Sequence, residues 1–225
     1  MRRDIVVVGA GVVGASVAYH AARAGAVVTL VDAGRPGAGV TVDSFAWIGS
    51  SGVRTGPAAG LRVAATDEYR RLEAELPGLP VTWSGSLSWR AADSAPEAGR
   101  GQKIVDAATV ATLEPNLQQP PDWAVWASGD GAVDPVGVTE RLIAGARDHA
   151  AQVHPDVPVT AVRRDAAGRI VGVETAAGPS PARLWCSRPE WQRPRWPRRW
   201  AYASRSTRRR RRSSSSAPRP VWSAR

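Results

Sequence analysis

Residues 5–32, IVVVGAGVVGASVAYHAARAGAVVTLVD, decide the fold of this chain. The stretch opens with four β-branched residues, a pattern typical of a parallel strand that is buried on both faces. G-x-G-x-x-G follows at once, at residues 9–14, and a helical pattern runs on to Ala24. A second β-branched run, at 27–31, ends at an acidic residue. This order of strand, glycine turn, helix, strand and acid predicts a dinucleotide-binding unit.

Each residue of this fingerprint has a physical task. Gly9 permits the tight turn out of the strand, Gly11 lets a pyrophosphate approach the backbone, and Gly14 lets the helix pack closely on the sheet. The N–H groups at the helix N-terminus would receive the phosphate charge. Asp32 would accept hydrogen bonds from a ribose diol, which favours FAD or NAD over NADP. We therefore predict that these four residues bind a dinucleotide, and the fingerprint alone leaves FAD and NAD open.

The same segment has a rival interpretation as an export signal or membrane anchor. Arg2 and Arg3 precede eighteen uncharged residues at 5–22, which faintly matches such a signal. Asp4 and the three glycines of the fingerprint argue against it. We expect a cytoplasmic protein without membrane association.

Composition separates the chain into two unequal parts. Residues 183–225 contain 14 of the 30 basic residues and one acid, a charge of +13, whereas residues 1–182 carry −3. The basic charge therefore gives no reason to assign nucleic-acid binding to the first part.

A single cysteine, Cys186, excludes a disulfide framework or a zinc ribbon within one chain. The only lysine, Lys103, lies outside any P-loop pattern, and we expect no metal site.

Three further stretches resemble the D-amino-acid oxidase family, which includes glycine and sarcosine oxidases. They are DAGRPGAG at 32–39 leading into DSFAWI at 43–48, GDGAVDP at 129–135, and GRIVGVET at 168–175. The resemblance implies FAD as the cofactor and a flavin-contacting loop that contains Ser44. It also implies an extended segment at 154–159 that passes the adenine, where Val159 offers backbone groups; an ordinary strand valine is the alternative.

The resemblance implies an α/β fold, in which a Rossmann-like FAD-binding domain is interrupted by a mainly antiparallel substrate domain, with an incomplete C-terminal half. It assigns residues 1–78 and 134–182 to the FAD-binding domain and residues 79–133 to a partial substrate domain. Residues 183–225 are then a basic, disordered tail.

Hydrophobic periodicity and turn signals predict the elements between these motifs. Helices are expected at 58–76, 107–113 and 135–150, the last without the glycine that often follows a helix. Strands are expected at 81–83 and 87–89, joined as a hairpin, at 123–126, and at 159–163 and 170–175, joined as a second hairpin.

The C-terminal residues have two interpretations. Taken as written, residues 208–212 are five arginines, and five tryptophans lie in 183–225, so the tail could bind nucleic-acid phosphates and bases. The other interpretation starts from a parallel strand that the family pattern requires after residue 182 and that the sequence lacks. Translating the tail in a reading frame shifted by two bases restores an apolar strand, a glycine turn and an alanine-rich helix. We therefore expect a frameshifted translation from about residue 180, and a truncated chain.

The leading hypothesis is an FAD-dependent oxidoreductase whose small-molecule partner is an amino acid or a secondary amine. The resemblance implies oxidation of the C–N bond by hydride transfer to flavin N5. A truncated chain would retain flavin weakly and be inactive. An NAD-dependent dehydrogenase and a nucleic-acid-binding protein remain alternatives, and no nucleic acid is expected unless the tail is genuine. Catalytic residues, substrate identity, electron acceptor and oligomeric state do not follow from the sequence.

Overall fold

A computed structural model of the protein describes residues 4–49, 56–89, 97–99, 101–175, 178–181 and 183–186. The helices are α1 (Val12–Arg23), α2 (Ala59–Glu75), α3 (Ala107–Leu113) and α4 (Pro135–Asp148). The strands up to α4 are β1 (Asp4–Val8), β2 (Val27–Val31), β3 (Trp47–Ile48), β4 (Val81–Thr82), β5 (Ser86–Ser88), β6 (Lys103–Asp106), β7 (Trp123–Ala127) and β8 (Gly131–Val133). The strands after α4 are β9 (Gln152–His154), β10 (Val159–Arg164), β11 (Ile170–Thr175), β12 (Gly178–Pro181) and β13 (Arg183–Cys186).

A parallel sheet with the strand order β13-β1-β2-β9 forms the centre of the fold. Ile5 of β1 pairs with Val28 of β2 on one side and with Arg183 of β13 on the other. Leu30 of β2 pairs with Val153 of β9. The α/β, Rossmann-like fold class predicted from the sequence is confirmed.

Helices α1 and α4 pack against each other and cover one face of this sheet. Apart from Tyr19, the buried side chains that α1 adds to this layer are small. The buried residues include Ala15, Ala18, Tyr19, Ala22, Val7, Val28, Leu30, Val138, Leu142 and Ala146. Gly145 allows the close approach of the two helices, because a Cβ atom there would lie 3.0 Å from the ring of Tyr19. Burying one such valine or leucine contributes about 1.5–3 kcal/mol to stability.

A second layer covers the opposite face of the sheet. Val6 of β1 and Val31 of β2 are buried against Val173 of β11, and Val159 of β10 packs at the edge of the same cluster. Strands β10 and β11 pair antiparallel, with Val162 opposite Val173, and β12 adds a third strand. The predicted hairpin of 159–163 with 170–175 is therefore confirmed.

The hairpin predicted for 81–83 and 87–89 is wrong. Strand β4 pairs with β8 in the sheet β3-β8-β4, whereas β5 pairs with β7 in the sheet β5-β7-β6. The chain changes sheet at Gly85, which has a φ of 76° and donates its N–H to the carbonyl oxygen of Asp130 at 2.9 Å. This long-range bond replaces the local pairing that a tight turn would favour.

The expectation that no strand follows residue 182 is also wrong. Arg183–Cys186 forms β13 and lies parallel to β1, with Leu184 paired to Val6. Pairing in a parallel sheet is made by backbone N–H and C=O groups, so a short segment with Leu and Trp suffices to form it. Residues 187–225, which include the five arginines at 208–212, lie outside the described residues.

The two helices of the first layer end in the same motif. At the end of α1, Gly25 has a φ of 84°, and at the end of α4, Ala150 occupies the equivalent position with a φ of 64°. In both motifs the N–H groups of this residue and of the next one bond back to helix carbonyls, at 2.8 and 3.0 Å. This is the Schellman arrangement, which favours glycine at the left-handed residue.

No helix in the described ranges is long and apolar enough to cross a membrane.

Candidate cofactor-binding site

The glycine turn joins β1 to α1 at the carboxyl edge of the parallel sheet. Gly9 has a φ of 102°, a conformation that favours glycine. Its N–H donates to the carbonyl oxygen of Val31 at 2.8 Å, which ties the turn to the end of β2. The turn therefore lies beside the acidic residue that follows β2, as the fingerprint predicts.

Gly11 begins α1 in an extended conformation, with φ −73° and ψ 177°, and has no side chain to cap the helix. The hydroxyl oxygen of Thr41 accepts the N–H of Val12 at 3.2 Å. A Cβ atom at Gly11 would lie 3.1 Å from this oxygen. The first turn of α1 thus has no side chain at its N-cap and is bordered by Thr41 of the loop after β2.

Thr41 is a site residue that the sequence analysis missed. It is one of only three buried polar side chains in the described part of the chain. A signal was present, because Thr41 is the first hydroxyl residue after the glycine-rich stretch 34–39. A hydroxyl group there can satisfy helix N–H groups, as a capping residue does.

Gly14 is buried in the first turn of α1, and Ala18 and Ala22 continue its stripe of small buried residues. Such small residues let a helix approach a sheet closely, which keeps the helix N-terminus near the strand ends. The sequence places Gly14 in this packing role, and its burial agrees with that role.

Asp32 is held by two backbone donors. One carboxylate oxygen accepts the N–H of Ala10 at 2.6 Å, and the other accepts the N–H of Gly34 at 2.8 Å. A carboxylate has about four lone-pair positions, so two remain for further donors. The side chain is therefore fixed across the glycine turn and still able to accept hydrogen bonds from a diol.

The segment predicted to pass the adenine lies beside Asp32. The N–H of Asp32 donates to the carbonyl oxygen of His154 at 3.1 Å, and its own carbonyl accepts the N–H of Val157 at 2.7 Å. Val159 lies two residues further on, and its side chain packs against the buried cluster of the second core layer. A backbone contact between Val159 and adenine stays a prediction.

The loop after β2 is fastened to the glycine turn and then runs to β3. The N–H of Gly37 donates to the carbonyl oxygen of Ala10 at 3.0 Å. Ser44 is exposed, and its hydroxyl oxygen accepts the N–H of Ala46 at 3.1 Å. The structure thus places Ser44 on the loop that the resemblance implicates, and its contact with a flavin stays a prediction.

Four apolar side chains in the first turn of α1 and in the loop after β2 are exposed. Val13, Val40, Val42 and Phe45 are exposed by 57%, 56%, 53% and 73%. Exposed apolar side chains beside a binding segment can be covered by an apolar part of a ligand. The site therefore combines backbone donors, a fixed carboxylate and apolar surface.

Several ionisable groups with shifted pKa values lie between α1 and α2. His20 lies 3.4 Å from Glu68, a carboxylate partner that the sequence did not reveal. Burial is the main cause that lowers the pKa of His20, and a hydrogen bond from Arg71 lowers that of Glu68. Burial also raises the pKa of Tyr19, whose hydroxyl donates to Glu75 at 3.0 Å. These contacts join the two helices and have no part in binding at the glycine turn.

The residues present fit FAD. Gly11, where a Cβ atom would crowd Thr41, leaves a bare backbone that suits a pyrophosphate, the remaining lone pairs of Asp32 suit a ribose diol, and the exposed apolar groups suit an aromatic ring system. Within the described residues, no group of three or more His, Cys, Asp or Glu side chains could hold a metal ion.

Comparison with known proteins gives the same assignment. Residues 4–186 match the family described as FAD dependent oxidoreductase, DAO, so the match extends four residues beyond the range expected from the sequence. A glycine oxidase from Bacillus licheniformis is 28% identical over 194 residues, which cover 80% of this chain and 52% of that protein. The chain thus spans about half the length of this relative.

Solved structures share the fold. A glycine oxidase from Bacillus cereus superimposes with a TM-score of 0.73 at 20% identity and covers 84% of this chain and 56% of its own. An L-amino acid deaminase from Proteus myxofaciens gives 0.74 at 18% identity, over 85% of this chain and 46% of its own. With the family match over 4–186, these findings show that the chain belongs to the DAO family of FAD-dependent oxidoreductases.

Proposed function

We propose that this protein binds FAD at the glycine turn and oxidises the C–N bond of an amino acid or a secondary amine. The observation that carries the proposal is the pairing of a helix N-terminus that has no side chain at Gly11 with the doubly anchored carboxylate of Asp32. When bound, FAD supplies the hydride acceptor for such an oxidation.

The chain's own residues bind and orient the cofactor. The backbone N–H groups of the first turn of α1, apart from that of Val12, which Thr41 accepts, are the proposed donors to the pyrophosphate, and Gly11 has no side chain to obstruct it. The carboxylate of Asp32 accepts the ribose hydroxyl groups with the lone pairs that Ala10 and Gly34 leave unused. A 2′-phosphate at this position would be repelled by the carboxylate, which argues against NADP.

The apolar side chains near the turn favour FAD over NAD. Val13, Val40, Val42 and Phe45 would lose exposed apolar surface against a tricyclic isoalloxazine, which is larger than a nicotinamide. Ser44 lies on the same loop, and we propose it as a flavin contact. Val159, through its backbone, is the proposed adenine contact.

The substrate class is supported by the relatives. Both the glycine oxidase and the L-amino acid deaminase are named for amino-acid chemistry. We propose that the antiparallel sheets β3-β8-β4 and β5-β7-β6, which fall largely within residues 79–133, belong to the substrate-binding part of the protein. No described residue is assigned a catalytic role.

We also propose a cytoplasmic location. The uncharged run at 5–22 that could be taken for an export signal is built into the core as β1 and α1. Val7 and Ala18, both within this run, are fully buried. A segment removed by a signal peptidase cannot supply the central strand of the folded protein.

The test is a ligand titration of the full chain and two glycine variants. Gly11→Ala narrows the phosphate space, whereas Gly60→Ala adds the same methyl group on α2, where it meets nothing within 4 Å. We expect Gly11→Ala to weaken the binding of both ADP and FAD about tenfold, or about 1.4 kcal/mol, and Gly60→Ala to leave binding unchanged.

Three further outcomes of the titration decide between cofactors. FAD is expected to bind more tightly than ADP, because the apolar side chains add contacts, and NADPH is expected not to compete. Tight binding of NADH without binding of FAD would support a dehydrogenase instead. Equal binding by the wild type and Gly11→Ala would show that the glycine turn is not the site.

A further inference from the structure

The indole nitrogen of Trp47 is buried and has no hydrogen-bond acceptor among the described residues. Trp47 opens β3, directly after the loop that we assign to flavin contact, and pairs with Ala132 of β8. A buried donor without an acceptor costs about 1–3 kcal/mol, and such groups in folded proteins call for an explanation. A ligand oxygen is one such explanation.

The indole ring of Trp47 lies close against the backbone of Gly49. A Cβ atom at Gly49 would lie 2.4 Å from the Cζ2 atom of Trp47 and 2.7 Å from the Cγ atom of Asp130, so both side chains fill the space beside Gly49. Only glycine permits this approach. The indole is therefore packed between the backbone after β3 and its neighbours.

The backbone before Trp47 is also held in an unusual conformation. Ala46 has a φ of 52°, which L-residues other than Asn and Asp rarely adopt. The hydroxyl of Ser44 accepts its N–H at 3.1 Å, and its carbonyl accepts the N–H of Val133 at 3.1 Å. Strained backbone that the surroundings maintain is typical of ligand-binding segments.

The nearest rival acceptor is the carboxylate of Asp130. One of its oxygens accepts the hydroxyl of Ser86 at 2.7 Å, and its backbone carbonyl accepts the N–H of Gly85. These bonds hold Asp130 at the corner where the chain changes sheet. The carboxylate thus has a structural role of its own. Trp47 makes no hydrogen bond to it.

We propose that the indole N–H of Trp47 donates a hydrogen bond to an oxygen of the group bound beside this loop. The acceptor is a carbonyl oxygen of the flavin ring or a carboxylate oxygen of an amino-acid substrate. This inference rests on the proposed function. It makes Trp47 a binding residue that orients the acceptor, and it requires no proton transfer.

The indole ¹⁵N–¹H resonance of Trp47 in the full-length chain provides the test. The variant Trp47→Phe assigns this resonance, because it removes the N–H and keeps an aromatic ring. ADP is added first, then FAD, and then acetate as a carboxylate probe. We expect ADP to leave the resonance in place. A downfield shift with FAD identifies the flavin carbonyl, and a shift with acetate only after FAD identifies the carboxylate.

Binding affinities give a second readout. We expect Trp47→Phe to weaken the binding of FAD, or of acetate to the FAD-bound protein, about tenfold, as the loss of one buried hydrogen bond implies. Trp83→Phe is the matched control, because the indole of Trp83 already donates to Glu73 at 2.7 Å. This control is expected to leave both affinities unchanged.

The outcomes separate this inference from the proposed function. If ADP and FAD bind while the Trp47 resonance and both affinities are unaffected, the inference is overturned and the function stands. If Asp130→Asn moves the resonance in the ligand-free protein and the ligands do not, Asp130 is the acceptor and the inference is again overturned. If neither ADP nor FAD binds, the proposed function fails, and the inference fails with it.

Discussion

The hydroxyl oxygen of Thr41 lies 3.2 Å from the backbone nitrogen of Val12 and accepts its N–H. Thr41 follows β2, whereas Val12 opens α1, so a loop residue satisfies the end of a helix that has no cap of its own. This contact joins the two chain segments that border the cofactor site. It therefore couples the stability of the loop to that of the glycine turn.

Replacing Thr41 with valine keeps the shape of the side chain and removes the acceptor. We expect hydrogen exchange of the Val12 amide in the ligand-free protein to become about fivefold faster, because the lost capping bond is worth about 1 kcal/mol. Thr41→Ser keeps the hydroxyl and should keep the protection of this amide. Equal loss of protection in both variants would contradict the contact.

Replacing Asp32 with asparagine puts an amide NH₂ group opposite one of two backbone N–H donors. We expect the free energy of unfolding to fall by about 2 kcal/mol, since hydrogen bonds to a charged group are lost, and ADP binding to be lost with it. Denaturant unfolding and titration with ADP measure the two effects. Asp156→Asn, an exposed residue on the neighbouring segment, is the control and should change neither quantity.

The matched ends of α1 and α4 predict opposite effects of exchanging glycine and alanine. Ala150 holds the left-handed position that costs an L-residue about 1–2 kcal/mol. Ala150→Gly removes this cost from the folded state, but it also gives the unfolded chain more conformational freedom, which is the smaller effect. We therefore expect the free energy of unfolding to rise by about 0.5 kcal/mol. Gly25→Ala should lower the free energy of unfolding by about 1 kcal/mol. Thermal unfolding of both variants measures the difference, and two changes of the same sign would refute the explanation.

The contacts between α1 and α2 predict a dependence of stability on pH. Burial lowers the pKa of His20 below its ordinary 6.5, so the unfolded chain binds this proton at a higher pH than the folded one. Stability should therefore fall as the pH drops below 6.5. The lowered pKa of Glu68 adds a loss in the same direction at lower pH.

Urea unfolding between pH 8 and pH 5 measures this effect. His20→Gln should flatten the decline below pH 6.5, whereas the exposed His154 replaced with glutamine should leave it unchanged. An identical decline in the wild type and His20→Gln would assign the pH dependence to other groups.

Local patterns predicted the elements whose formation depends on nearby residues. The helix at 107–113 was predicted with the bounds it has, and β1, α1 and β2 follow the fingerprint closely. In these segments β-branching, helical spacing and glycine positions all favour one conformation, so neighbours along the chain suffice to specify it.

Contacts between distant residues could not be predicted in the same way. Alternating residues at 81–89 are compatible with any antiparallel partner, and the bond of Gly85 to Asp130 selects the partners they have. Thr41 at the start of α1 and the pairing of His20 with Glu68 are of the same kind. A single sequence does not specify the partner of such a residue, because each residue type is ordinary in its own surroundings.

The central position of β1 has a consequence for folding during synthesis on the ribosome. Ile5 meets Val28 soon after synthesis begins, but its other partner, Arg183, emerges only after all the other described elements. Until then one row of backbone groups on β1 has no partner strand and can template pairing with another nascent chain. Slow translation or a chaperone that shields this edge should therefore raise the yield of folded protein.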